Sequence, residues 1–443
     1  MTDILTFFID QHGCAKNQVD GELIISRLLN LGMAQTFEPA EADLIVVNSC
    51  GFIESAKKES IENILDMVSY KEDFPSVKVL VTGCLAERYR SEIFTEIPEV
   101  DGVVGIGANN DICEICDKLM NYEKVEEFPP KEALCFDGDR VLTTPPYSAY
   151  LKIAEGCSNH CTYCAIPSIR GEYRSRPAES ILAEAEKLSK NGVKELIVVA
   201  QDTTRYGEDL YGKNALVPLL RSLCKVEGIE WIRLLYLYPE RIDDSLIETI
   251  ASEDKIVKYM DIPVQHCSSR VLKRMNRKGD RESLTNLFNK IRERIPDITL
   301  RTTFIAGFPG ETEEEFEELC NFVNEMKFER MGCFAYSEEE GTPAAKLDGM
   351  LPEEERNRRA DIVNDIQSGI LDEINESLIG KELITIVEEY DGYTDSYYGR
   401  TVMDAPEIDT QICFTCGYDL NDGEIVTVEV INCVDGLLTG EVV

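Results

Sequence analysis

Short apolar runs alternate with amphipathic stretches through the first quarter of the chain. Residues 5–9, 44–47 and 77–81 are compact runs of the kind buried strands have, and residues 21–30 and 60–69 repeat apolar positions at helical spacing. This order predicts an α/β domain with a parallel, doubly wound sheet. Residues 122–146 carry two Pro-Pro pairs and little periodicity, and read as a linker. The alternation then resumes, with strands expected at 149–153, 195–200, 232–237, 259–264, 299–305 and 330–336 and helices at 177–191, 243–252, 281–294 and 313–327. Six βα units suit a partial, open barrel better than a closed eight-stranded one. A charged helix over 352–377 follows, and beyond Gly380 three runs at 383–387, 397–402 and 425–431, separated by Asp-Gly turns, predict a small antiparallel β-barrel. The expected domains are therefore 1–125, 147–375 and 376–443, with a linker at 126–146.

No apolar run approaches the roughly 20 residues that span a bilayer, and acids at Asp3 and Asp10 break up any leader-like segment. The expectation is a cytoplasmic protein with no membrane contact. Sixteen cysteines in that compartment are poorly explained by disulfides, so some should bind metal. Only His12, His160 and His266 could join them, which favours thiolate-only ligation and points to iron-sulfur chemistry. The formal charge of −38 repels phosphate backbones and attracts basic proteins, or serves solubility alone.

Lys152-Ile-Ala-Glu-Gly-Cys157-Ser-Asn-His-Cys161-Thr-Tyr-Cys164 places three thiols at C-x3-C-x2-C spacing directly after an expected strand. Three thiolates in one loop can ligate three irons of a 4Fe-4S cube and leave the fourth open. The amino and carboxylate groups of S-adenosylmethionine can chelate an open iron, and one electron then breaks the sulfonium bond to release a deoxyadenosyl radical. A zinc knuckle or electron-transfer cluster is the alternative, but each normally takes a fourth protein ligand, and His160 is the sole nearby candidate. The loop resembles the radical S-adenosylmethionine superfamily, whose signature also places an aromatic before the third cysteine, here Tyr163; the resemblance implies that Tyr163 packs near the adenine. Thr303-Phe-Ile-Ala-Gly-Phe-Pro-Gly-Glu311 is similar to the family's glycine-containing turn that helps hold the nucleoside, with Gly307 as the contact, or is an ordinary βα turn.

Cys14, Cys50 and Cys84 are far apart in sequence, yet each lies at or just after the carboxyl end of an expected parallel strand. Those ends line one crevice in a doubly wound sheet, so three thiolates could converge there; buried structural cysteines are the alternative for any one of them. Gly13-Cys-Ala-Lys-Asn17, Val19-Asp-Gly-Glu22, Asn48-Ser-Cys-Gly-Phe-Ile-Glu-Ser-Ala56 and Thr82-Gly-Cys-Leu85 are similar to the N-terminal domain of methylthiotransferases. The likeness runs over essentially the whole chain and implies that family's order: a cluster domain, a radical barrel and a small terminal barrel called TRAM. It implies a second 4Fe-4S cluster on Cys14, Cys50 and Cys84, whose open iron carries the sulfur to be inserted. It further implies two stages, methylation of that sulfur by one S-adenosylmethionine and hydrogen removal from the acceptor by a radical from another. Gln11-His12 departs from the Ser-Leu pair expected there. Cys113/Cys116 and Cys413/Cys416 lack partner pairs and read as structural thiols, and Cys135, Cys224, Cys267, Cys320, Cys333 and Cys433 as packing residues.

The family's acceptors are an adenosine of transfer RNA and an aspartate of the twelfth protein of the small ribosomal subunit. Cys164-Ala-Ile-Pro-Ser-Ile-Arg-Gly171, Arg174-Ser-Arg-Pro177, Gln201-Asp-Thr-Thr-Arg-Tyr-Gly207 and Asp209-Leu-Tyr-Gly212 resemble the ribosomal-protein branch. Residues 376–443 hold fifteen acids against Lys381 and Arg400, a charge of about −13 that suits docking a basic ribosomal protein and not gripping a nucleic acid. The alternatives are the same chemistry on transfer RNA, or a non-catalytic cluster protein that binds ribosomal components. An electron donor is implied, and Gln201, Tyr236, Gln265 and Arg301 are candidate cofactor or substrate contacts from their places at strand ends, with packing or salt-bridge roles open.

Overall fold

The computed structural model describes residues 4–133 and 137–443, which leaves Cys135 outside the described residues. The chain forms two compact units: Met1–Thr144 with Ala154–Arg176 and Ser337–Ala345, and Pro145–Ile153 with Pro177–Tyr336 and Lys346–Val443.

The first unit is built on β1 (Thr6–Gln11), β2 (Ala34–Gln35), β3 (Leu44–Ser49), β4 (Lys78–Thr82), β5 (Gly102–Val104) and β6 (Val125–Glu127), all parallel, in the order β2-β1-β3-β4-β5-β6. Every residue of β3 is buried. Leu44 and Val46 face the helices Ala15–Asn30 and Ile112–Met120, while Ile45 and Val47 face Glu54–Ser69 and Gly83–Tyr89. Covering both faces makes the strand sequence a continuous apolar run, since successive side chains point to opposite sides. Each large side chain so buried contributes about 1.5–3 kcal/mol. The helix after β1 packs on one face and the helix after β3 on the other, so the connections reverse between these two neighbouring strands. Such a switch point opens a crevice at the carboxyl ends of the strands. β6 lies across the expected linker boundary. The chain then leaves this unit for β7 (Ser148–Lys152) and returns for β8 (Ala154–Glu155), which pairs antiparallel with β9 (Arg174–Ser175).

The second unit contains an open, parallel six-stranded sheet in the order β14-β13-β12-β11-β10-β7, from β10 (Glu195–Val199), β11 (Trp231–Leu234), β12 (Ile256–Asp261), β13 (Thr299–Ala306) and β14 (Arg330–Ala335). Asp243, Asp280 and Thr312 cap three of its helices with side-chain hydrogen bonds, each worth about 1 kcal/mol. Two strands stop earlier than the apolar runs suggest. β12 ends at Asp261 because Pro263 has no N–H for the ladder, and β11 ends at Leu234, just before Tyr236 turns to φ 61°.

The terminal domain is a closed barrel of β15 (Glu382–Asp391), β16 (Ser396–Thr401), β17 (Ile412–Thr415), β18 (Ile425–Val434) and β19 (Leu437–Val442), antiparallel except where β17 meets β19. Tyr397, Phe414, Val428 and Leu438 are among the residues that fill it. Its 400–409 segment joins the sheet of the same unit through buried ion pairs. Glu195, which opens β10, takes Arg400 at 2.5 Å and Arg233 at 3.0 Å, and Arg330, which opens β14, takes Asp404 at 2.5 Å. Among the described residues no helix is long and apolar enough to cross a membrane.

Candidate metal centre

Cys14, Cys50 and Cys84 come three, one and two residues after the ends of β1, β3 and β4, at the carboxyl ends of the strands. Cys14 is the N-cap of the helix Ala15–Asn30, and Cys84 is the second residue of Gly83–Tyr89. Two glycines let these turns close on one another. Gly13 sits at φ 91°, where a Cβ would lie 3.0 Å from the Cys50 Cβ and 3.2 Å from its Sγ. A Cβ on Gly51 would lie 2.7 Å from the Leu85 Cα, one residue beyond Cys84. Behind them, the Asn17 amide donates to the His12 carbonyl at 2.7 Å and the Asn48 carbonyl at 3.2 Å, and Asn48 donates back to the Asn17 carbonyl at 2.9 Å. The divergent pair is absorbed here: Gln11 accepts from Asn48 at 2.9 Å and His12 pairs with Asp10 at 2.6 Å.

The thiols feel one another's charge. Desolvation pushes Cys84 up to about 12, with Arg170 opposing and Cys14 and Cys50 adding to the rise. Desolvation also raises Cys50, to which charge on Cys14 contributes. Cys14 goes the other way: desolvation would raise it, but Lys16, Arg170 and the amides of Asn17 and Lys16 hold it below the ordinary thiol value. A helix N-terminus and a guanidinium therefore favour the thiolate that a metal needs.

The C-x3-C-x2-C loop lies in the same unit, between β8 and the short helix Ile166–Arg170. The Cys157 amide donates to the Gly171 carbonyl at 3.0 Å, the Cys164 amide to the Cys161 carbonyl at 3.0 Å, and the Ala344 amide to the Thr162 carbonyl at 2.8 Å. Gly156 sits at φ 75°, and a Cβ there would lie 2.2 Å from the Glu172 carbonyl oxygen, so the turn requires glycine. All three thiols are half-buried, and none of the described cysteines is in a disulfide. The His160 side chain is 56% exposed and reaches Glu172 at 3.6 Å. Among the described residues no group of three or more His, Cys, Asp or Glu is placed to hold a single metal ion. A cube asks for a different arrangement, in which each thiolate binds its own iron and the sulfurs stand apart. Two sets of three thiols, each pinned through its backbone, suit that donor chemistry.

One residue missed by the sequence reading joins these parts. Arg170 closes the helix that follows the loop and is 1% exposed. It donates to the Cys84 sulfur from Nε at 3.3 Å and Nη2 at 3.2 Å, to Asp20 at 2.6 Å, to Glu155 at 3.1 Å and to the Asn17 side-chain oxygen at 3.0 Å. Glu339 is a second such anchor: buried in the Ser337–Ala345 segment, it pairs with Arg88 at 3.0 Å and Lys57 at 3.2 Å.

The remaining candidates belong to the second unit, whereas Tyr163 belongs to the first. Gln201 follows β10. Tyr236 and Gln265 both have positive φ, with the Tyr236 amide donating to Asp261 at 3.0 Å and Gln265 bridging to Phe304. Gly307 sits at φ 73°, and its amide donates to the Glu311 carboxylate at 3.0 Å, which also pairs with Arg359 at 2.7 Å and His266 at 3.4 Å. Arg301, near the start of β13, pairs with Asp261 at 3.1 Å and Asp409 at 3.5 Å. The paired cysteines fall elsewhere: Cys116 is buried in the first unit's core, with Cys113 packed against it, and Cys416 packs against the terminal barrel's core.

Three family descriptions match in sequence order: "Uncharacterized protein family UPF0004" over residues 6–105, "Radical SAM superfamily" over 151–323 and "TRAM domain" over 379–443. The chain is 48% identical over 435 residues to the ribosomal protein uS12 methylthiotransferase RimO of Lachnoclostridium phytofermentans, covering 98% of this chain and 99% of that one. It is 47% identical over 442 residues to the RimO of Clostridioides difficile, covering 99% of each. Among solved structures, the radical S-adenosylmethionine methyltransferase TsrM of Kitasatospora setae matches with a TM-score of 0.57 at 14% identity, over 77% of this chain and 76% of that one. The cobalamin-dependent radical enzyme OxsB matches at 0.51 and 11% identity, over 82% of this chain and 56% of that one. The structural likenesses speak for the fold alone, and the full-length identities go further: the chain belongs to the RimO family of radical S-adenosylmethionine methylthiotransferases.

Proposed function

We propose that this chain transfers a methylthio group to the β-carbon of an aspartate in ribosomal protein uS12. As a radical S-adenosylmethionine protein it takes a 4Fe-4S cluster and S-adenosylmethionine. Cys157, Cys161 and Cys164 hold that cluster. A cluster held there would supply reductive radical chemistry at the acceptor carbon, with S-adenosylmethionine as its co-substrate and a donor protein as the source of the electron. Cys14, Cys50 and Cys84 would hold a second 4Fe-4S cluster, which would supply the sulfur-delivering chemistry. The observation that carries this reading is the presence of both sets of three thiols in one compact unit. Tyr163, in the same unit as Cys157, Cys161 and Cys164, packs near the adenine. The terminal barrel, at about −13, docks the basic ribosomal protein.

The test offers anaerobically reconstituted, reduced enzyme both uS12 and unmodified transfer RNA, with mass spectrometry of each. Methylthiolation of the uS12 aspartate with untouched RNA is the expected result. Transfer to adenosine with the aspartate unmodified would move the chain to the RNA branch, and no reductive cleavage of S-adenosylmethionine would leave a binding protein.

A further inference from the structure

We propose that Arg170 is the positioning residue of the N-terminal thiol set: it fixes Cys84 and sets the charge at the cluster those thiols hold. The inference rests on the two-cluster reading above and assigns a role to a residue outside both sets of ligands.

Two arms of one buried guanidinium, Nε and Nη2, converge on a single sulfur at 3.3 and 3.2 Å. A neutral thiol is a weak acceptor, whereas a thiolate draws the strong, charge-assisted hydrogen bonds that suit a planar fork. Asp20 at 2.6 Å and Glu155 at 3.1 Å both take Nη1, which leaves the other edge of the guanidinium, Nε and Nη2, to the sulfur. The placement is equally pointed. Arg170 stands six residues after Cys164 and Glu155 two before Cys157, so both ends of the C-x3-C-x2-C loop meet the guanidinium that holds Cys84. Cys84 itself packs with Ala165 and Ile169 of the same segment. The loop and the third thiol of the other set are thus held against each other by one side chain.

Charge gives the proposal its sign. Hydrogen bonds and positive charge at a ligand sulfur stabilise the more negative, reduced state of an iron-sulfur cluster and raise its potential. Arg170 does this, and Asp20 moderates it from the opposite side of the guanidinium. Removing each charge should therefore shift the potential in opposite directions, which a general loosening of the site would not do.

The experiment is a potentiometric titration of the holoenzyme, followed by electron paramagnetic resonance, for wild type, Arg170→Gln, Arg170→Lys and Asp20→Asn, each with its iron content. The signal that survives in the Cys157→Ala/Cys161→Ala/Cys164→Ala protein identifies the N-terminal cluster. Arg170→Gln should favour its oxidised form about tenfold, a fall of 59 mV for one electron, while the other cluster holds its potential. Asp20→Asn should raise it, and Arg170→Lys should stay nearer wild type while loading less iron, since the charge remains and the fork is gone. Unchanged potentials, or shifts of one sign in both charge variants, would overturn the proposal. If Arg170→Gln does not fold, Asp20→Asn decides: a raised potential supports the proposal, and an unchanged or lowered one overturns it. A wild-type protein that binds about four irons instead of about eight removes the second cluster, and this proposal with it, by iron count before any potential is measured.

Discussion

At the scale of single residues, the two thiol sets are expected to part cleanly. Replacing Cys157, Cys161 and Cys164 by Ala should halve iron from about eight to about four per chain and end cleavage of S-adenosylmethionine, read by iron analysis and by release of deoxyadenosine. Replacing Cys14, Cys50 and Cys84 should also halve the iron, leave cleavage measurable and end methylthio transfer. A third change touches no ligand. Gly51→Ala puts a Cβ 2.7 Å from the Leu85 Cα, a backbone atom with little room to retreat, so the Cys50 and Cys84 turns must separate. The Gly51→Ala enzyme should lose N-terminal cluster iron while keeping deoxyadenosine release. The places of Cys14, Cys50 and Cys84 were legible in the sequence from the apolar runs they follow, and those of Cys157, Cys161 and Cys164 from their close spacing. Arg170 was not, since its partners Cys84 and Asp20 lie 86 and 150 residues away and no local pattern announces a buried guanidinium.

At the scale of elements, the order of strands and helices could be read directly, because burial on both faces writes a parallel strand as an unbroken apolar run. Shorter pieces escaped. β17 has four residues, and β19 carries Gly440, whose Cβ would lie 2.3 Å from the Glu429 carbonyl, so neither shows the alternation that marked β15, β16 and β18. The ion pairs that join the terminal barrel to its sheet were equally hidden, and they yield a pH prediction. Burial alone would raise Glu195, but Arg400 and Arg233 outweigh it and hold the carboxylate at about 2. A folded value below the ordinary one, about 4.3, means that this stabilisation is complete above that pH and lost as pH falls toward 2. Glu195→Gln should therefore cost about 3–5 kcal/mol at neutral pH, with the gap from wild type closing in acid. Urea melts at pH 7 and pH 3 would check it.

At the scale of the whole molecule, charge does more than composition suggested and less than the raw count implied. Glu388, Asp404 and Asp409 face Arg400, Arg330 and Arg301 inside their unit and are not available to a partner. Asp419 and Asp422 are exposed, with Glu424 half-buried beside them. Converting these three to Asn and Gln should slow association with uS12, by a factor that shrinks as salt shortens the screening length to about 8 Å at 0.15 M. Stopped-flow binding at two ionic strengths would measure it, and deoxyadenosine release should be unaffected. The division of the chain carries a consequence of another kind. The first unit takes its last piece, Ser337–Ala345, from far beyond its opening 144 residues. A ribosome adding roughly 5–20 residues per second needs about 10–40 s to travel that distance. For that interval Lys57 and Arg88, on the helices Glu54–Ser69 and Gly83–Tyr89, have no Glu339. The nascent thiols of the crevice stand open to oxygen and stray metal while synthesis continues, so the vulnerable period of this protein is its own birth.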